Sequence, residues 1–416
     1  MTIAESWAKP IAQTAAKAFV HPYNPDKPSL QVIFHNHWDD FCDWIEDHPE
    51  IVLRQVVYDE VDKLMACGTV DMGFEIYECP NCHRHHIICY TCKSRFCPSC
   101  GVKMTRQRAL QISESTLDVN HRHIIFTIDD RLRPYFKVHR DWLDFLFDAA
   151  WDTLTYAFEK IGKKSEHLTP GAIMTLHTFG RPINWNPHMH CLVTEGGMTD
   201  GGCYKHTPYI HYDTLRKSFM KQLLDKMRDA MVKGSDEYRK FMRLRNQIYQ
   251  DDQNGFYVNA PAADIKGNGK KQVVQYIIRY AGRPAMAQSR ITSYDYETKQ
   301  ITYWYKDHKT GDTVTVTEHV YAFFLKLIQH IPEREFKMVR YYGIYATCEH
   351  RHKKVVKLRL RKQRSFFHRA KNRPRHYRRS LVDTFGVDPL LCTCGCYMEF
   401  VDSCVPSRFR YDDESP

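Results

Sequence analysis

Asn186-Pro187-His188-Met189-His190-Cys191-Leu192-Val193 says most about how this chain folds. An apolar run follows the histidines, and Gly196, Gly197, Gly201 and Gly202 mark a turn after it, so the stretch predicts a β-strand. Successive strand side chains face opposite ways. His188 and His190 therefore point together, while Met189 enters the core. Two imidazoles on one face can hold a divalent metal. Further along, Gln272 to Ala281 predicts a helix stopped near Gly282 and Pro284, and Tyr276 and Tyr280 share one of its faces. A metal that polarises a phosphate and a phenol that attacks it are the minimum kit for cutting a nucleic-acid strand covalently.

The flanking sequence predicts what carries this strand. Ala172 to Thr178 is a neighbouring strand across a loop bearing Gly, Pro and Asn, and His121 to Ile128 is a third, bounded by Asp129, Asp130 and Pro134. Trp142 to Ile161 has the spacing of an amphipathic helix, and Tyr212 to Met242 is helical and strongly charged. Phe256 to Asn259 is a short strand, Ile291 to Thr317 alternates as a β-hairpin, and Glu318 to Ile331 is a helix. Ahead of these, an apolar stripe over residues 30–66 predicts two helices separated near Pro49. Residues 102–115 predict a short basic helix. The order of elements predicts an α+β class, with helices against an antiparallel sheet. Four regions follow: helical 1–66, cysteine-rich 67–115, a catalytic domain over 116–345 with a helical insertion at about 211–250 and the tyrosine helix at about 272–281, and 346–416.

A net charge of +11 over 416 residues favours an anionic partner. The charge is concentrated: residues 351–380 hold fourteen Lys or Arg and no Asp or Glu, the pattern of a nucleic-acid contact. No stretch approaches the roughly 20 apolar residues of a membrane span, and no secretory signal core is visible at the start. These absences exclude a membrane partner and predict a cytoplasmic location.

The 15 cysteines gather in Cys-x-x-Cys pairs, which in a reducing compartment predicts zinc rather than disulfides. Cys79-Pro-Asn-Cys82 and Cys97-Pro-Ser-Cys100 are spaced to close one tetrahedral structural Zn²⁺ site. Cys89-Tyr-Thr-Cys92 lies between them and, with Cys67, is the basis of a possible second site. Cys392, Cys394, Cys396 and Cys404 form a separate terminal cluster. Each motif has a plainer reading. His35/His37, His83/His85 and His121/His123 repeat the His-x-His spacing, and tyrosines four apart on a helix usually pack. The apolar middle residue and the strand that continues it favour the metal reading at His188/His190. Arg279, Arg283 and Arg290 favour phosphate contact and DNA binding near the tyrosines, because guanidinium pairs with phosphate bidentately.

Taken in order, these blocks resemble the HUH-endonuclease transposases of rolling-circle insertion sequences, most closely the insertion-sequence-ninety-one type with two tyrosines. Cys67-Gly68 and Thr91-Cys92-Lys93-Ser94-Arg95-Phe96-Cys97-Pro98 resemble that family's zinc segment. His123-Ile-Ile-Phe-Thr127, Leu176-His177-Thr178-Phe179-Gly180 and Asn186 to Cys191 resemble its catalytic strands. Tyr276-Ile-Ile-Arg279-Tyr280 with Arg283 resembles its tyrosine motif, and Arg340-Tyr341-Tyr342-Gly343 a later block. Asn186 stands where many relatives carry histidine.

The resemblance implies an HUH-type antiparallel sheet and a strand transferase that cuts and rejoins single-stranded DNA at transposon ends and target. Tyr276 or Tyr280 would be the nucleophile. His188 and His190 would bind Mg²⁺ or Mn²⁺, with His123 as third ligand because it shares a strand face with Ile125 and Thr127. A non-catalytic zinc-containing DNA-binding protein, or a plasmid replication initiator or relaxase with the same chemistry, are the alternative readings.

Overall fold

The structure, a computed structural model, describes residues 28–161, 167–207, 211–260, 274, 278, 282–307, 310–346, 382 and 388–406. It is α+β, and its sheets are antiparallel throughout. The chain divides into two compact units. One falls within Met1–Gln107, Pro284–Ile331 and Lys371–Pro416, the other within Arg108–Arg283 and Pro332–Ala370. No helix among the described residues is long and apolar enough to cross a membrane.

The first unit begins with α1 (Leu30–Glu46) and α2 (Gln55–Ala66). The Ser29 side chain accepts from the Val32 N–H at 3.1 Å, satisfying one of the amide groups a helix start leaves unpaired. α1 ends three residues before Pro49, so Val52, expected in the apolar stripe, is exposed instead. A hairpin of β1 (Phe74–Glu78) and β2 (His85–Cys89) follows, paired from Phe74↔Cys89 to Glu78↔His85. After it comes α3 (Pro98–Ser115), which starts inside the Cys97–Cys100 turn, is longer than expected, and belongs to the second unit from Arg108 onward.

The second unit is built on a sheet of order β11-β4-β5-β3-β7 with β6 beside β5. Its elements in chain order are β3 (His121–Thr127), α4 (Arg133–Val138), α5 (Leu143–Ile161), β4 (Thr169–Phe179), β5 (Trp185–Met198) and β6 (Tyr204–His206). Then come α6 (Tyr212–Ala230), α7 (Asp236–Asp251) and β7 (Val258–Asn259). The single helix expected over Tyr212 to Met242 is two, divided where Gly234 takes a positive φ of 84° that other residues rarely adopt.

One sheet face carries Ile124, Phe126, Met174, Leu176, Met189, Cys191 and Val193, all buried against α5, α6 and α7. The opposite face carries Ile173 and Leu192, buried with Ala109 and Ile112 of α3, with Ile344 and Tyr345, and with helical Val274 and Ile278. Arg122 is buried, and its Nε and Nη2 donate to Glu195 Oε1 at 3.0 and 2.8 Å, clamping the start of β3 to β5.

The segment after residue 284 returns to the first unit. There β8 (Ile291–Asp295), β9 (Gln300–Lys306) and β10 (Thr313–His319) form a three-stranded sheet followed by α8 (Val320–Ile328). This departs from the expected catalytic domain over 116–345. Phe324 of α8 stacks on Phe34 of α1 with centroids 4.0 Å apart, and Tyr294 Oη bonds His37 Nε2 at 2.8 Å, so the hairpin's apolar partners are more than 250 residues away in sequence. In the second unit, β11 (Val339–Gly343) then pairs with β4. Gly343 sits there at φ 56°, and a Cβ would fall 1.9 Å from the Pro170 carbonyl oxygen, so only glycine closes this edge. Finally β12 (Glu399–Cys404) adds to β1 in the first unit, pairing from Phe74↔Cys404 to Glu78↔Glu399. The basic run 351–380 lies outside the described residues.

Candidate metal centre on the central sheet

His188 and His190 do share a face of β5, as strand alternation requires. The hairpin between β4 and β5 brings a third imidazole to them. Gly180 N–H donates to the Asn184 carbonyl at 3.0 Å, and this turn sets His177 directly across from His188. The ligand nitrogens of His177, His188 and His190 all lie within 4.8 Å of one another. His188 Nε2 and His190 Nε2 are 3.1 Å apart, close to the ~3 Å expected between neighbouring ligands of an octahedral cation with ~2.1 Å bonds.

His123, the expected third ligand, takes a different place. It pairs with Leu192, one step further along the face than His190. Its Nε2 lies 2.9 Å from Nδ1 of His190, on the side of that ring away from His188. The geometry suits an orienting partner behind a ligand better than a ligand. His177 lies in the block Leu176 to Gly180 and is not among the expected ligands. Its signal was the length of the loop that pairs it with His188.

Tautomers follow from the partners. The Asn186 carbonyl can only accept, so the His188 Nδ1 at 2.7 Å carries the proton and Nε2 keeps its lone pair. This contact uses the backbone of Asn186, and a histidine at that position would make it equally. A cation bound through Nε2 of His188 and His190 would require His190 to hold its proton on Nδ1, donating to His123.

Burial lowers the pKa of His188. It does the same for His190, helped by the positive forms of His177, His188 and His123, and it pushes His123 down to about 4. All three are therefore neutral at pH 7, the state in which an imidazole can bind metal. Neutral His188 and His190, with His177 beside them, present imidazole nitrogens that fit a divalent cation. Nitrogen donors suit zinc and its neighbours, whereas Mg²⁺ and Mn²⁺ prefer oxygen.

Helical Val274 and Ile278 are buried beside Leu192, two residues from His190 on the same face. Tyr276, Tyr280 and Arg279 lie outside the described residues. Arg283 is exposed. Arg290 is half-buried in the first unit, where Nε donates to the Trp304 carbonyl at 2.8 Å and Nη1 to that of Ala285 at 3.4 Å, so this guanidinium braces a loop where a phosphate contact was expected.

The cysteines regroup. Cys67, Cys92, Cys97 and Cys100 form one cluster, with Cys67 Sγ 3.5 Å from Cys100 Sγ and 3.9 Å from Cys97 Sγ. Cys79 and Cys82 lie at the opposite end of the β1–β2 hairpin, about 15 Å away at ~3.4 Å per residue. The expected site of Cys79, Cys82, Cys97 and Cys100 is thus not assembled, because a five-residue ladder separates its halves. Cys89 joins neither cluster. It packs on Phe74 and Ile76, and burial first, then Asp71, pushes its thiol up to about 11, so it stays protonated.

Residues 33–128 match a family model described as "Transposase zinc-binding domain", and residues 171–354 one described as "Putative transposase". The chain is similar to the "Transposase for insertion sequence element IS801" of Pseudomonas savastanoi pv. phaseolicola, 31% identical over 309 residues, covering 71% of this chain and 72% of that one. It is also similar to the "Putative transposase y4qJ" of Sinorhizobium fredii, 24% identical over 319 residues, covering 70% and 75%. No solved structure matches. With a zinc-binding domain ahead of a strand-borne histidine centre, and relatives covered over more than two thirds of their length, the chain belongs to the insertion-sequence-ninety-one family of rolling-circle transposases.

Proposed function

We propose that this transposase cleaves and rejoins single-stranded DNA at the ends of its element through a 5′-phosphotyrosine intermediate. Tyr276 or Tyr280 is the nucleophile. The observation that carries this reading is the convergence of His177, His188 and His190 within 4.8 Å on one sheet face. Val274 and Ile278, which bracket Tyr276 in sequence, are buried with Leu192, so the segment that carries the tyrosines comes to the same sheet.

His177, His188 and His190 would hold the cation, Mg²⁺ or Mn²⁺ by family resemblance. When bound, it supplies polarisation of the scissile phosphate and stabilisation of the charge that develops there. The tyrosine oxygen forms a bond to phosphorus as the bond to the 3′ oxygen breaks, and the phenol proton is accounted for on the released 3′-hydroxyl. The ester keeps the bond energy, so rejoining needs no nucleotide cofactor. His188 is held in its ligating tautomer by the Asn186 carbonyl, and His123 would accept from His190 Nδ1 once His190 binds the cation through Nε2. The basic run 351–380 supplies phosphate contacts along the strand.

The test is incubation of the full chain with single-stranded oligonucleotides spanning the element end, in Mn²⁺, Mg²⁺, Zn²⁺ or EDTA, followed by a denaturing protein gel. A metal-dependent, nuclease-sensitive shift that disappears in Tyr276→Phe/Tyr280→Phe is expected. Binding without any covalent shift on the correct end would favour a non-catalytic DNA-binding role. A shift that persists in the double variant would move the nucleophile elsewhere.

A further inference from the structure

We propose that Cys79, Cys82, Cys392 and Cys394 form a second tetrathiolate zinc site, which clasps the C-terminal segment onto the tip of the β1–β2 hairpin. Cys392 and Cys394 lie far beyond residues 33–128, where the zinc-binding domain is matched. The four thiols cluster all the same: Cys79 Sγ is 3.4 Å from Cys394 Sγ, and Cys82 Sγ is 3.5 Å from Cys392 Sγ. A zinc tetrahedron with ~2.3 Å Zn–S bonds has S···S edges of ~3.8 Å, so closing on a metal requires only small shifts. All four are free thiols, and the observed separations far exceed the ~2 Å of a disulfide.

Both halves are shaped for ligation. On the hairpin side, the His83 N–H donates to the Cys79 carbonyl at 2.9 Å, and His83 takes a φ of 57°, giving a tight turn with Cys79 and Cys82 on it. The backbone N–H of Arg84 donates to the Cys82 sulfur. On the tail side, Gly395 at φ 87° turns the chain so that a Cys-x-Cys pair replaces the usual Cys-x-x-Cys. The N–H groups of Cys394 and Cys396 donate to the sulfurs of Cys392 and Cys394. Backbone donors of this kind orient and stabilise thiolate ligands. Arg84 Nη1 also donates to Thr393 Oγ1 at 2.6 Å, and Cys79, Cys392 and Met398 share a small buried cluster with Tyr77 and Cys396.

The consequence concerns the chain before the clasp. The basic run 351–380 is preceded by β11, paired to β4, and followed by the Cys392/Cys394 turn and β12. Zinc in the second site would hold Cys392 and Cys394 to the hairpin tip, on the unit that carries the first cysteine cluster. Metal loading thereby governs whether the C-terminal segment stays docked.

The test loads the full chain with Co²⁺ and measures the near-ultraviolet sulfur-to-cobalt charge-transfer absorbance. This reports thiolate ligands and leaves the histidine centre out of the count. Wild type is expected to titrate with two tetrathiolate equivalents, and Cys392→Ser/Cys394→Ser to lose a quarter of the absorbance where Cys79 and Cys82 keep the metal and half where the site empties. Cys97→Ser/Cys100→Ser should lose the same share from the other cluster. The tail variant should also release a C-terminal fragment to trypsin at a protease dose that leaves the metal-loaded wild type whole. Full wild-type absorbance in Cys392→Ser/Cys394→Ser overturns the proposal. Should that variant fail to fold, Cys394→His decides: a loss of about one eighth of the signal supports the site, and an unchanged signal overturns it. Covalent transfer to DNA enters none of these readouts, so the result stands apart from the tyrosine chemistry.

Discussion

The histidine centre and the thiolate clusters are built in opposite ways. His177, His188 and His190 come from one hairpin, with ligands set by a single turn and a ladder register. The thiolates come from separated pieces: a helix C-terminus and a helix N-terminus in one cluster, and residues 310 or more positions apart in the other. A site inside one hairpin costs little chain entropy to assemble once the sheet exists. A site joining distant segments must offset a large loop closure, and its metal then contributes to the fold itself. The first kind can be devoted to chemistry, and the second holds segments in place.

Four perturbations test that division, in falling order of effect. His190→Ala should lower covalent transfer about 10³-fold, with His177→Ala close behind, while DNA binding and the cobalt–thiolate spectrum stay as in wild type. A fall in DNA binding together with transfer would show that the hairpin site carries the fold too, and the contrast would collapse.

Next is acid stability in EDTA. Folding holds His123 at about 4 against an unperturbed 6.5, so below pH 6.5 the unfolded chain takes up a proton that the folded chain refuses. Stability should be level above pH 6.5 and fall by roughly 3 kcal/mol as pH drops towards 4 from this group alone. His188 and His190 add in the same direction. Urea titrations at pH 7.5 and 5 measure the slope, and a flat profile would mean these imidazoles are not held neutral.

His123→Ala should be milder than His177→Ala, reducing transfer about 10- to 100-fold with partial recovery at higher metal concentration, as an orienting partner behind a ligand behaves. Equal losses for the two variants would return His123 to the ligand set. Smallest is Ser29→Ala, expected to cost about 1 kcal/mol through loss of the α1 cap, with transfer per folded molecule unchanged. Thermal melts and active-site titration separate the two quantities.

Much of this was legible in residue order. Strand alternation put His188 and His190 on one face and Met189 in the core, as found. The glycine pattern and apolar spacing located most elements and the α+β class. His177 was passed over because choosing it needs a register, and a register depends on how many residues the turn consumes. Cys79 and Cys82 were joined to Cys97 and Cys100 because motif spacing counts residues along the chain and not the strands between them. The return of β8 to α8 to the first unit was equally hidden, since Phe324 gives no sign that its partner is Phe34.

Residue order alone sets the local chemistry: which faces are apolar, which turns present thiols, where imidazoles repeat at strand spacing, and which family the ordered blocks resemble. These follow from periodicity and from bonds between residues a few positions apart. Which imidazole joins the pair, which cysteines share a cluster, and where the C-terminal strand docks are settled in the folded chain. Those choices rest on hydrogen-bond register and on burial between remote segments, and both come into being only when the chain has folded.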